Sequence, residues 1–261
     1  MDEQTLKTTL HQVSALRFYE TTGSTNDVAL AWADQYASDF SIVIAEHQTA
    51  GRGRLQRRWI TPSGAALAFS LIFRPTEQEI PHLAWFTALG ALALSDVLKQ
   101  GYGLESQIKW PNDVLIGGCK TAGSLTEAAW QSGHPQAVIL GIGVNVAPES
   151  VPADDQLRFP ATCLETALGK KVERIELLTK LLDRIKSLRP AIGSLQLIEA
   201  WENRLAYKGQ AVQIEQTEHT TLVGILTGIN DDGSLRLQTE TGKIVHIQAG
   251  DVRLRPVEAS R

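Results

Sequence analysis

The stretch Lys109-Trp-Pro-Asn-Asp-Val-Leu-Ile116 runs through Gly117-Gly118 into Cys119-Lys-Thr-Ala-Gly-Ser-Leu-Thr-Glu127. Apolar β-formers on both sides of a glycine pair predict two strands joined by a tight turn. The proline and the Asx pair place amide and carboxylate groups at a strand end, where they can meet a ligand or magnesium. A strand followed by an ordinary proline-Asx turn is the alternative, and the residue types alone leave both open.

Lys120 is the first charged residue after this glycine turn. Gly123 in the same predicted strand leaves room for a ligand against the backbone, which makes Lys120 a candidate ligand-binding cation. A strand lysine that simply extends to water is the alternative. Cys119 lies beside it, but Cys119 and Cys163 form no CxxC pair and have no histidines at metal-ligand spacing. The cysteines therefore support neither a disulfide framework nor a zinc site.

Further upstream, Ser24-Thr-Asn-Asp27 precedes a periodic apolar run and has the pattern of a capping box. In that pattern the Ser24 hydroxyl and the Asp27 carboxylate satisfy free backbone amides at the start of a helix, predicted here from Thr25 to Tyr36. Two short β-forming runs follow, Ser41–Glu46 and Ala66–Phe73. The segment between them is polar and contains glycines, so we expect an exposed loop.

This loop has four arginines among the eight residues that begin at Gly51, and no acid lies between His47 and Thr76. Because the loop cannot neutralise its own charge, a bound phosphate or carboxylate is one explanation, with guanidinium groups and glycine backbone amides as its ligands. Trp59 could stack on a purine. A solvated basic loop or a nucleic-acid patch is the alternative, since neither Walker spacing nor the dinucleotide glycine fingerprint is present.

The remaining pattern predicts an α+β fold, in which a mixed sheet packs with helices and is buried on one face. Helices are predicted at Pro81–Gln100, Leu164–Leu188 and Leu195–Leu205, and another strand at Ala137–Asn145. After Tyr207 the pattern changes to short alternating strands, which predict a small C-terminal β-barrel. We therefore expect a larger domain over residues 1–206 and the β-barrel over 207–261. The short strands are Ala211–Glu215, Thr221–Ile229, Ser234–Thr239, Ile244–Gln248 and Val252–Leu254.

Composition argues against several classes of protein. With a net charge of −4 and a pI near 5.9, the chain has no excess of cations from which to build a broad nucleic-acid face. The first twenty residues lack the apolar core of a signal peptide, and the most apolar stretch, Leu83–Leu94, is too short to span a bilayer. We expect a cytoplasmic protein with neither a membrane nor a nucleic-acid partner.

The order of the motifs resembles the catalytic domain of biotin protein ligases, whose mixed sheet is class II synthetase-like. The resemblance runs from Phe18 to Val146, and the later helices and β-barrel resemble the rest of the family to Pro256. It implies an ATP-dependent ligase that makes biotinyl-5′-AMP from biotin and ATP with Mg²⁺. Biotin would then pass to a lysine of a biotin carboxyl carrier protein, such as a subunit of acetyl-CoA carboxylase. The matching motifs are Ser24-Thr25-Asn26, Gly51-Arg52-Gly53-Arg54, Lys109-Trp-Pro-Asn-Asp113, Lys120 with Ala122-Gly123, and Gly141-Ile-Gly-Val-Asn145.

The resemblance also implies a role for each matching residue. Four polar residues would line the biotin pocket and bind the ureido head, namely Ser24, Thr25, Asn26 and Gln48. Four further residues would belong to the loop that closes over biotin and its adenylate, namely Gly51, Arg52, Gly53 and Arg54. Arg57 would lie near the ATP phosphates, and Trp59 near the adenine.

Further matching residues would hold the nucleotide. Asn112 and Asp113 would help to hold ATP, with Asp113 at the magnesium ion, and Asn145 would lie near the nucleotide. Lys120, with Gly123 beside it, would touch both the biotin carboxylate and the α-phosphate. The catalytic residues that the resemblance implies are therefore Lys120, Arg54 and Asp113.

The chain departs from the family's usual pattern in two segments. Leu55-Gln56 stands where arginine or glycine is frequent, which puts the closure of the loop in question, and Ser124 replaces an aliphatic residue. Lipoate or octanoate ligases and transferases are the nearest rivals, but the Gly51–Arg54 and Lys109–Asp113 motifs favour biotin. A biotin-responsive DNA-binding repressor is a rival from another class. Only 23 residues precede Ser24, against roughly 55 to 65 for an independent domain, so operator binding is not expected. The oligomeric state, monomer or homodimer, stays open.

Overall fold

The computed structural model describes residues 1–153, 159–217, 220–248 and 253–256 of the 261-residue chain. Its strands form two sheets, and most of its helices pack on the larger one. The helices are α1 (Glu3–Thr9), α2 (Thr25–Asp34), α3 (Trp85–Tyr102), α4 (Leu164–Leu168), α5 (Arg174–Leu188) and α6 (Leu195–Glu202). The strands are β1 (Leu16–Thr22), β2 (Ser41–Gln48), β3 (Ala66–Phe73), β4 (Gln107–Lys109), β5 (Asp113–Ile116), β6 (Cys119–Gln131), β7 (His134–Asn145), β8 (Ala211–Thr217), β9 (Thr220–Ile229), β10 (Leu235–Gln238), β11 (Ile244–Ile247) and β12 (Arg253–Pro256).

The larger sheet is mixed, as predicted. Its strand order is β1-β2-β3-β7-β6-β5-β4, with β1 parallel to β2 and every other neighbouring pair antiparallel. The polar loop predicted from its arginines, residues 49–65 and hereafter the arginine loop, connects β2 to β3. The Gly117-Gly118 turn connects β5 to β6. The sheet therefore places the N-terminus of α2, the arginine loop and the Lys109–Lys120 stretch near one another.

The main core lies between one face of this sheet and helices α3 and α5. Every residue of α3 from Trp85 to Leu98 except Thr87 is buried, because the helix lies between the sheet and α5. Gly90 permits a close approach, since a Cβ there would lie 3.1 Å from the Ile142 Cδ1 atom on β7. Helix α5 is amphipathic and turns its leucines toward α3.

Helix α2 covers part of the other face. Its small residues Ala29 and Ala33, with Ala37 beyond them, pack on Val43, Ile72 and Ile139 of three adjacent strands. Consequently β3 is buried at every position. The expectation of a sheet buried on one face is therefore wrong for the central strands, because the alanine stripe of α2 is too weakly apolar to reveal a second packed face.

Element boundaries differ from the prediction in several places. The helix expected over Leu164–Leu188 is two helices, because Gly169 ends α4 in the left-handed conformation with φ 67°. Trp110, Pro111 and Asn112 form a turn between β4 and β5 rather than part of one strand. Helix α1 and strand β1 were not predicted. Of the strand expected at Val252–Leu254, Val252 lies outside the described residues, and β12 covers the rest.

The C-terminal strands form a small antiparallel sheet with the order β11-β10-β9-β8-β12, in agreement with the predicted β-barrel unit. Its inner residues, such as Val212 and Leu226, share one continuous core with the helices of the larger unit. A boundary at residue 206 stays a prediction. Among the described residues, no helix combines the length and hydropathy needed to cross a bilayer.

Candidate active site

A cavity of about 720 Å³ lies where the N-terminus of α2, the arginine loop and strands β5, β6 and β7 meet. Of the fifteen residues that the sequence singles out, Gly51 alone does not line it. The structure thus gathers residues from five separate stretches of the chain, while their individual roles stay predictions. The lining residues among the predicted set are Ser24, Thr25, Asn26, Gln48, Arg52, Gly53, Arg54, Arg57, Trp59, Asn112, Asp113, Lys120, Gly123 and Asn145.

Uncharged polar groups form one end of the cavity. Ser24, Thr25 and Asn26 occupy the start of α2, Gln48 ends β2, and each is less than 10% exposed. The Gln48 Oε1 atom accepts the Thr25 backbone N–H at 2.8 Å and the Thr25 hydroxyl at 3.2 Å. Its amide nitrogen donates to the Thr61 hydroxyl at 3.0 Å. A strand end therefore caps the helix and fixes the orientation of the Gln48 amide.

The predicted capping box is wrong. Ser24 is the N-cap of α2, but its side chain makes no capping hydrogen bond, and the side chain that accepts an amide at this helix end is Gln48, which binds the Thr25 N–H. Asp27 likewise turns outward, and its Oδ1 atom lies 2.6 Å from the Arg52 guanidinium. The Ser24 hydroxyl is therefore left to line the cavity.

Three polar residues that the sequence did not single out complete this end of the site. Ser70, fully buried on β3, lies 2.6 Å from Asn26 Oδ1 and 2.8 Å from the Thr25 hydroxyl. Thr61 supports Gln48, and Glu127 on β6 accepts a 2.7 Å hydrogen bond from the Asn26 amide. Ser70 is the one polar residue in the apolar strand β3, a signal that could have identified it, whereas Glu127 follows Ser124 and Thr126 on β6 and has no such signal.

The arginine loop is a compact turn. Gly53 N–H donates to the Arg57 carbonyl at 2.7 Å, and Trp59 N–H donates to the Gly51 carbonyl at 2.8 Å. Gly51 is required here, since a Cβ would lie 2.4 Å from the Trp59 carbonyl oxygen. Leu55, one of the two departures noted in the sequence, has φ 57°, a conformation that glycine would adopt at less cost.

Two glycines of β7 make room for side chains inside the cavity. A Cβ at Gly141 would lie 2.1 Å from the Asn26 amide oxygen, and one at Gly143 would lie 2.3 Å from the Trp59 ring. The Trp59 indole consequently packs on the β7 backbone, with Lys120 Nζ 5.5 Å from the ring centroid. Its buried indole N–H has no hydrogen-bond partner among the described residues. The Gly-Ile-Gly motif therefore has a steric cause.

Strands β5 and β6 form the opposite wall. Lys120 Nζ lies 2.6 Å from Asp113 Oδ1, and both side chains are largely buried. The Asn112 amide donates to the Ser124 carbonyl at 2.7 Å, which ties the turn before β5 to β6. This contact crosses to the neighbouring strand and is not the local hydrogen bond of an Asx turn, and Asn112 also lines the cavity. Asn145 donates to the Thr162 carbonyl at 3.1 Å.

This end of the cavity is strongly cationic. Asp113 is the sole acid among the described residues that line the cavity, against six cations. Such an excess in a semi-enclosed space favours an anionic ligand, because field lines are focused there. The cations are Arg52, Arg54, Arg57, Arg58, Lys109 and Lys120.

A magnesium ion fits this donor set only if a ligand brings it. No cluster of three or more His, Cys, Asp or Glu that could hold a metal occurs within the described part of the chain. Magnesium, however, commonly takes one or two carboxylates together with substrate phosphates and water. Asp113 offers one such carboxylate inside the cavity.

Comparisons with known proteins match these features. Residues 18–145 match the Biotin/lipoate A/B protein ligase family, and residues 208–255 match the Biotin protein ligase C terminal domain. The bifunctional ligase/repressor BirA of Bacillus subtilis is 34% identical over 244 residues, which are 92% of this chain and 74% of that protein. The biotin–acetyl-CoA-carboxylase ligase of Paracoccus denitrificans is 35% identical over 237 residues, covering 88% of this chain and 97% of that one.

A solved structure supports the same family. The biotin protein ligase from Aquifex aeolicus, in complex with biotin and ATP, superposes with a TM-score of 0.80 and 29% identity. The match covers 94% of this chain and all of the Aquifex chain. Both the larger unit and the C-terminal sheet therefore fall within the matched region.

Proposed function

The chain belongs to the biotin/lipoate A/B protein ligase family, and we infer that it is an ATP-dependent biotin protein ligase. It forms biotinyl-5′-AMP from biotin and ATP and transfers biotin to a lysine of a biotin carboxyl carrier protein. The observation that carries this conclusion is one cavity with an uncharged hydrogen-bonding end and a cationic end. Biotin has the matching chemistry, with a neutral cyclic urea at one end and a carboxylate at the other.

The uncharged end is proposed to hold the urea. A cyclic urea presents one carbonyl acceptor and two N–H donors, so its pocket needs both kinds of partner in fixed orientations. Hydroxyls of Ser24 and Thr25 and amides of Asn26 and Gln48 supply them, and the hydrogen bonds around Gln48 and Asn26 keep the amides from flipping. An apolar ligand would remove water from these polar groups without replacing its hydrogen bonds, so this end selects against such a ligand.

The cationic end supports the first step. A carboxylate oxygen of biotin attacks the α-phosphorus of ATP, a mixed anhydride forms and pyrophosphate leaves. Two anions must approach each other, so cations placed between them lower the barrier. Lys120 is proposed to contact the carboxylate and the α-phosphate, with Arg52 and Arg54 adding charge.

The nucleotide is proposed to lie along the same wall, toward Arg57, Trp59, Asn112 and Asn145. Asp113 would hold an ATP-bound magnesium ion, which adds positive charge at the phosphates.

In the second step the carrier lysine attacks the acyl carbon of the anhydride, AMP leaves, and the amine loses its proton. An ordered arginine loop would keep water from the anhydride until then. Since the reaction consumes ATP, we place it in the cytoplasm. No nucleic-acid partner is proposed, in view of the net charge of −4, and a gel shift with biotin-operon DNA tests this.

A lipoate or octanoate ligase is the second candidate in chemistry, but no observation favours it. Octanoate and the dithiolane of lipoate offer no N–H donors and no urea carbonyl, so they would leave the buried groups of Thr25, Asn26 and Gln48 without ligand partners.

The test is pyrophosphate release from ATP and Mg²⁺ with biotin, lipoate or octanoate, with and without a biotin carboxyl carrier domain. Of the three acids, we expect only biotin to cause pyrophosphate release, and to do so without the carrier domain. When the domain is added, we expect biotinylated carrier. No release with biotin, or equal release with lipoate, would overturn the assignment.

A further inference from the structure

Glu127 joins the two ends of the cavity. Its Oε2 atom accepts a hydrogen bond from the Asn26 amide at 2.7 Å and another from the Arg52 guanidinium at 2.7 Å. Its Oε1 atom accepts a second Arg52 hydrogen bond at 3.0 Å, so the ion pair is bidentate. One carboxylate thus touches both a residue of the uncharged end and the first arginine of the loop.

The carboxylate determines which way the Asn26 amide points. An ionised carboxylate only accepts hydrogen bonds, so the NH₂ group of Asn26 must face Glu127. The same NH₂ group lies 3.3 Å from the Leu125 carbonyl, and the amide oxygen faces the Ser70 hydroxyl at 2.6 Å. Asn26 is 4% exposed, so water offers little competition for these bonds.

The Glu127 carboxylate also fixes the position of Arg52, near the start of the arginine loop. Arg52 is tied to β6 by its ion pair with Glu127. It is tied to α2 by its ion pair with Asp27, whose Oδ1 atom lies 2.6 Å from the guanidinium. The Asp27 side chain is 58% exposed, whereas that of Glu127 is 26% exposed. Ion pairs weaken with solvent exposure, so Glu127 is the stronger anchor of the two.

We propose that Glu127 is a positioning residue that couples the biotin head-group pocket to the arginine loop. It orients the Asn26 amide for the urea and holds Arg52 at the base of the loop through the same oxygen. This inference rests on the proposed function, because it takes the urea of biotin as the ligand of Asn26.

The test variant is Glu127→Gln, which keeps the shape and removes the charge. We expect the Kd for biotin, measured by calorimetry without ATP, to rise about tenfold, the difference between a charged and a neutral hydrogen bond. In steady-state adenylation the KM for biotin should rise while kcat stays within about threefold, as for lost ground-state binding. The unliganded loop, whose arginines are trypsin sites, should be cleaved several-fold faster than in wild type.

Asp27→Asn is the matched control. It removes an acid that contacts Arg52 but not Asn26, so biotin affinity should stay at the wild-type value, and the bidentate Glu127 pair should keep the loop protected. If Glu127→Gln does not fold, Glu127→Asp replaces it. The shorter carboxylate keeps the charge but cannot reach both partners, so the same losses are expected.

The outcomes separate the two levels of inference. Wild-type protein that fails to bind biotin contradicts the proposed function itself. Wild type that binds, with a Glu127→Gln variant of equal affinity and equal loop protection, overturns the coupling. So does an equal loss of affinity in Asp27→Asn, since the effect would then follow from the charge near Arg52 and not from the Asn26 contact.

Discussion

The Lys120–Asp113 ion pair shows how much a single residue's role depends on its neighbours. A strand lysine could equally extend to water, and only its place among the motifs suggested otherwise. In the structure Lys120 is 27% exposed at the side chain, is paired with Asp113, and faces the ring of Trp59. A cation held this way is already oriented toward the cavity, which is what an electrostatic catalyst needs.

Lys120→Ala is therefore expected to slow biotinyl-adenylate formation about a hundredfold or more, the size of the loss of one preorganised electrostatic donor. Pyrophosphate release in the presence of biotin measures the rate, and thermal unfolding measures folding. The variant leaves Asp113 without its cation, so some loss of melting temperature accompanies the loss of rate.

Lys99→Ala is the control for this variant, because Lys99 pairs with Glu105 on the surface and lies outside the cavity. It should leave adenylation unchanged. A near-normal rate in Lys120→Ala would remove Lys120 from the catalytic residues, and an unfolded variant would favour a structural role.

Residue types could be predicted more easily than residue contacts. The polar character of Ser24, Thr25, Asn26 and Gln48 was visible, but the cap of α2 comes from Gln48 rather than from Ser24. Glu127 was missed because its contact with Asn26 spans 101 residues of sequence. A one-dimensional pattern reports local periodicity, whereas a hydrogen-bond partner across a sheet depends on register.

At the scale of elements, the arginine loop is where composition was most informative. An acid-free segment with glycines and four arginines could not be core, and it does lie between two buried strands. The helix over 164–188 was predicted too long, because leucines continue on both sides of Gly169 and hide the break. Apolar spacing identifies an element, while a single left-handed residue ends it.

Arg54→Gly is expected to separate making the adenylate from keeping it. Arg54 lies in the loop and lines the cavity, and its charge is proposed to favour the closed loop by contacting the phosphoanhydride. Lys120 and magnesium still act in the first step, so adenylation should fall less than retention. Biotinyl-adenylate then escapes and acylates lysines of unrelated proteins.

The measurement compares albumin biotinylation by wild type and Arg54→Gly with biotin, ATP and Mg²⁺ at matched adenylation rates. Arg17→Gly gives the control, since Arg17 stacks on Trp32 outside the cavity. Albumin labelling at the wild-type level by Arg54→Gly would mean that Arg54 does not retain the intermediate.

At the scale of the whole molecule, the C-terminal sheet is attached to the larger unit through two indoles, one of which belongs to the candidate site. Trp85 Nε1 donates to the Asp231 carbonyl and Trp110 Nε1 to the Gly233 carbonyl, both at 3.0 Å. Both carbonyls belong to one turn, but Trp85 is on α3, whereas Trp110 lines the cavity and lies two residues before Asn112. The turn therefore supports the cavity wall through Trp110 only.

Trp110→Phe should consequently raise the KM for ATP, while Trp85→Phe should not. Each variant keeps an aromatic ring and loses one hydrogen bond, so each should lose about 1 kcal/mol of stability. Adenylation at varied ATP and denaturant unfolding measure the two effects. Equal KM values in the two variants would show that the C-terminal turn does not position the Asn112–Asp113 segment.

The junction also carries an acid-sensitive contact at Glu202, the last residue of α6. Its Oε1 atom accepts the Ile229 backbone N–H at 2.8 Å and lies 3.0 Å from Arg236, while Lys208 contacts Oε2. Burial alone would raise the pKa of Glu202, but the Ile229 hydrogen bond and the two cations outweigh it and lower the pKa. The folded state therefore favours the ionised carboxylate.

Because the folded pKa is lowered, Glu202 stabilises the fold fully above its unfolded pKa of about 4.3, and the contribution is lost as the pH falls below that value. Denaturant unfolding of wild type and Glu202→Gln should thus differ at pH 7 and converge toward pH 3. The protection factor of the Ile229 amide, which is its exchange rate corrected for the intrinsic pH dependence, should fall in wild type over the same range and be lower in Glu202→Gln than in wild type at pH 7. If wild type and Glu202→Gln instead differ in stability by the same amount at every pH, the charge of Glu202 does not hold the C-terminal sheet against α6. A pH-independent difference would come from the shape or the hydrogen bonds of the side chain, which do not depend on its ionisation.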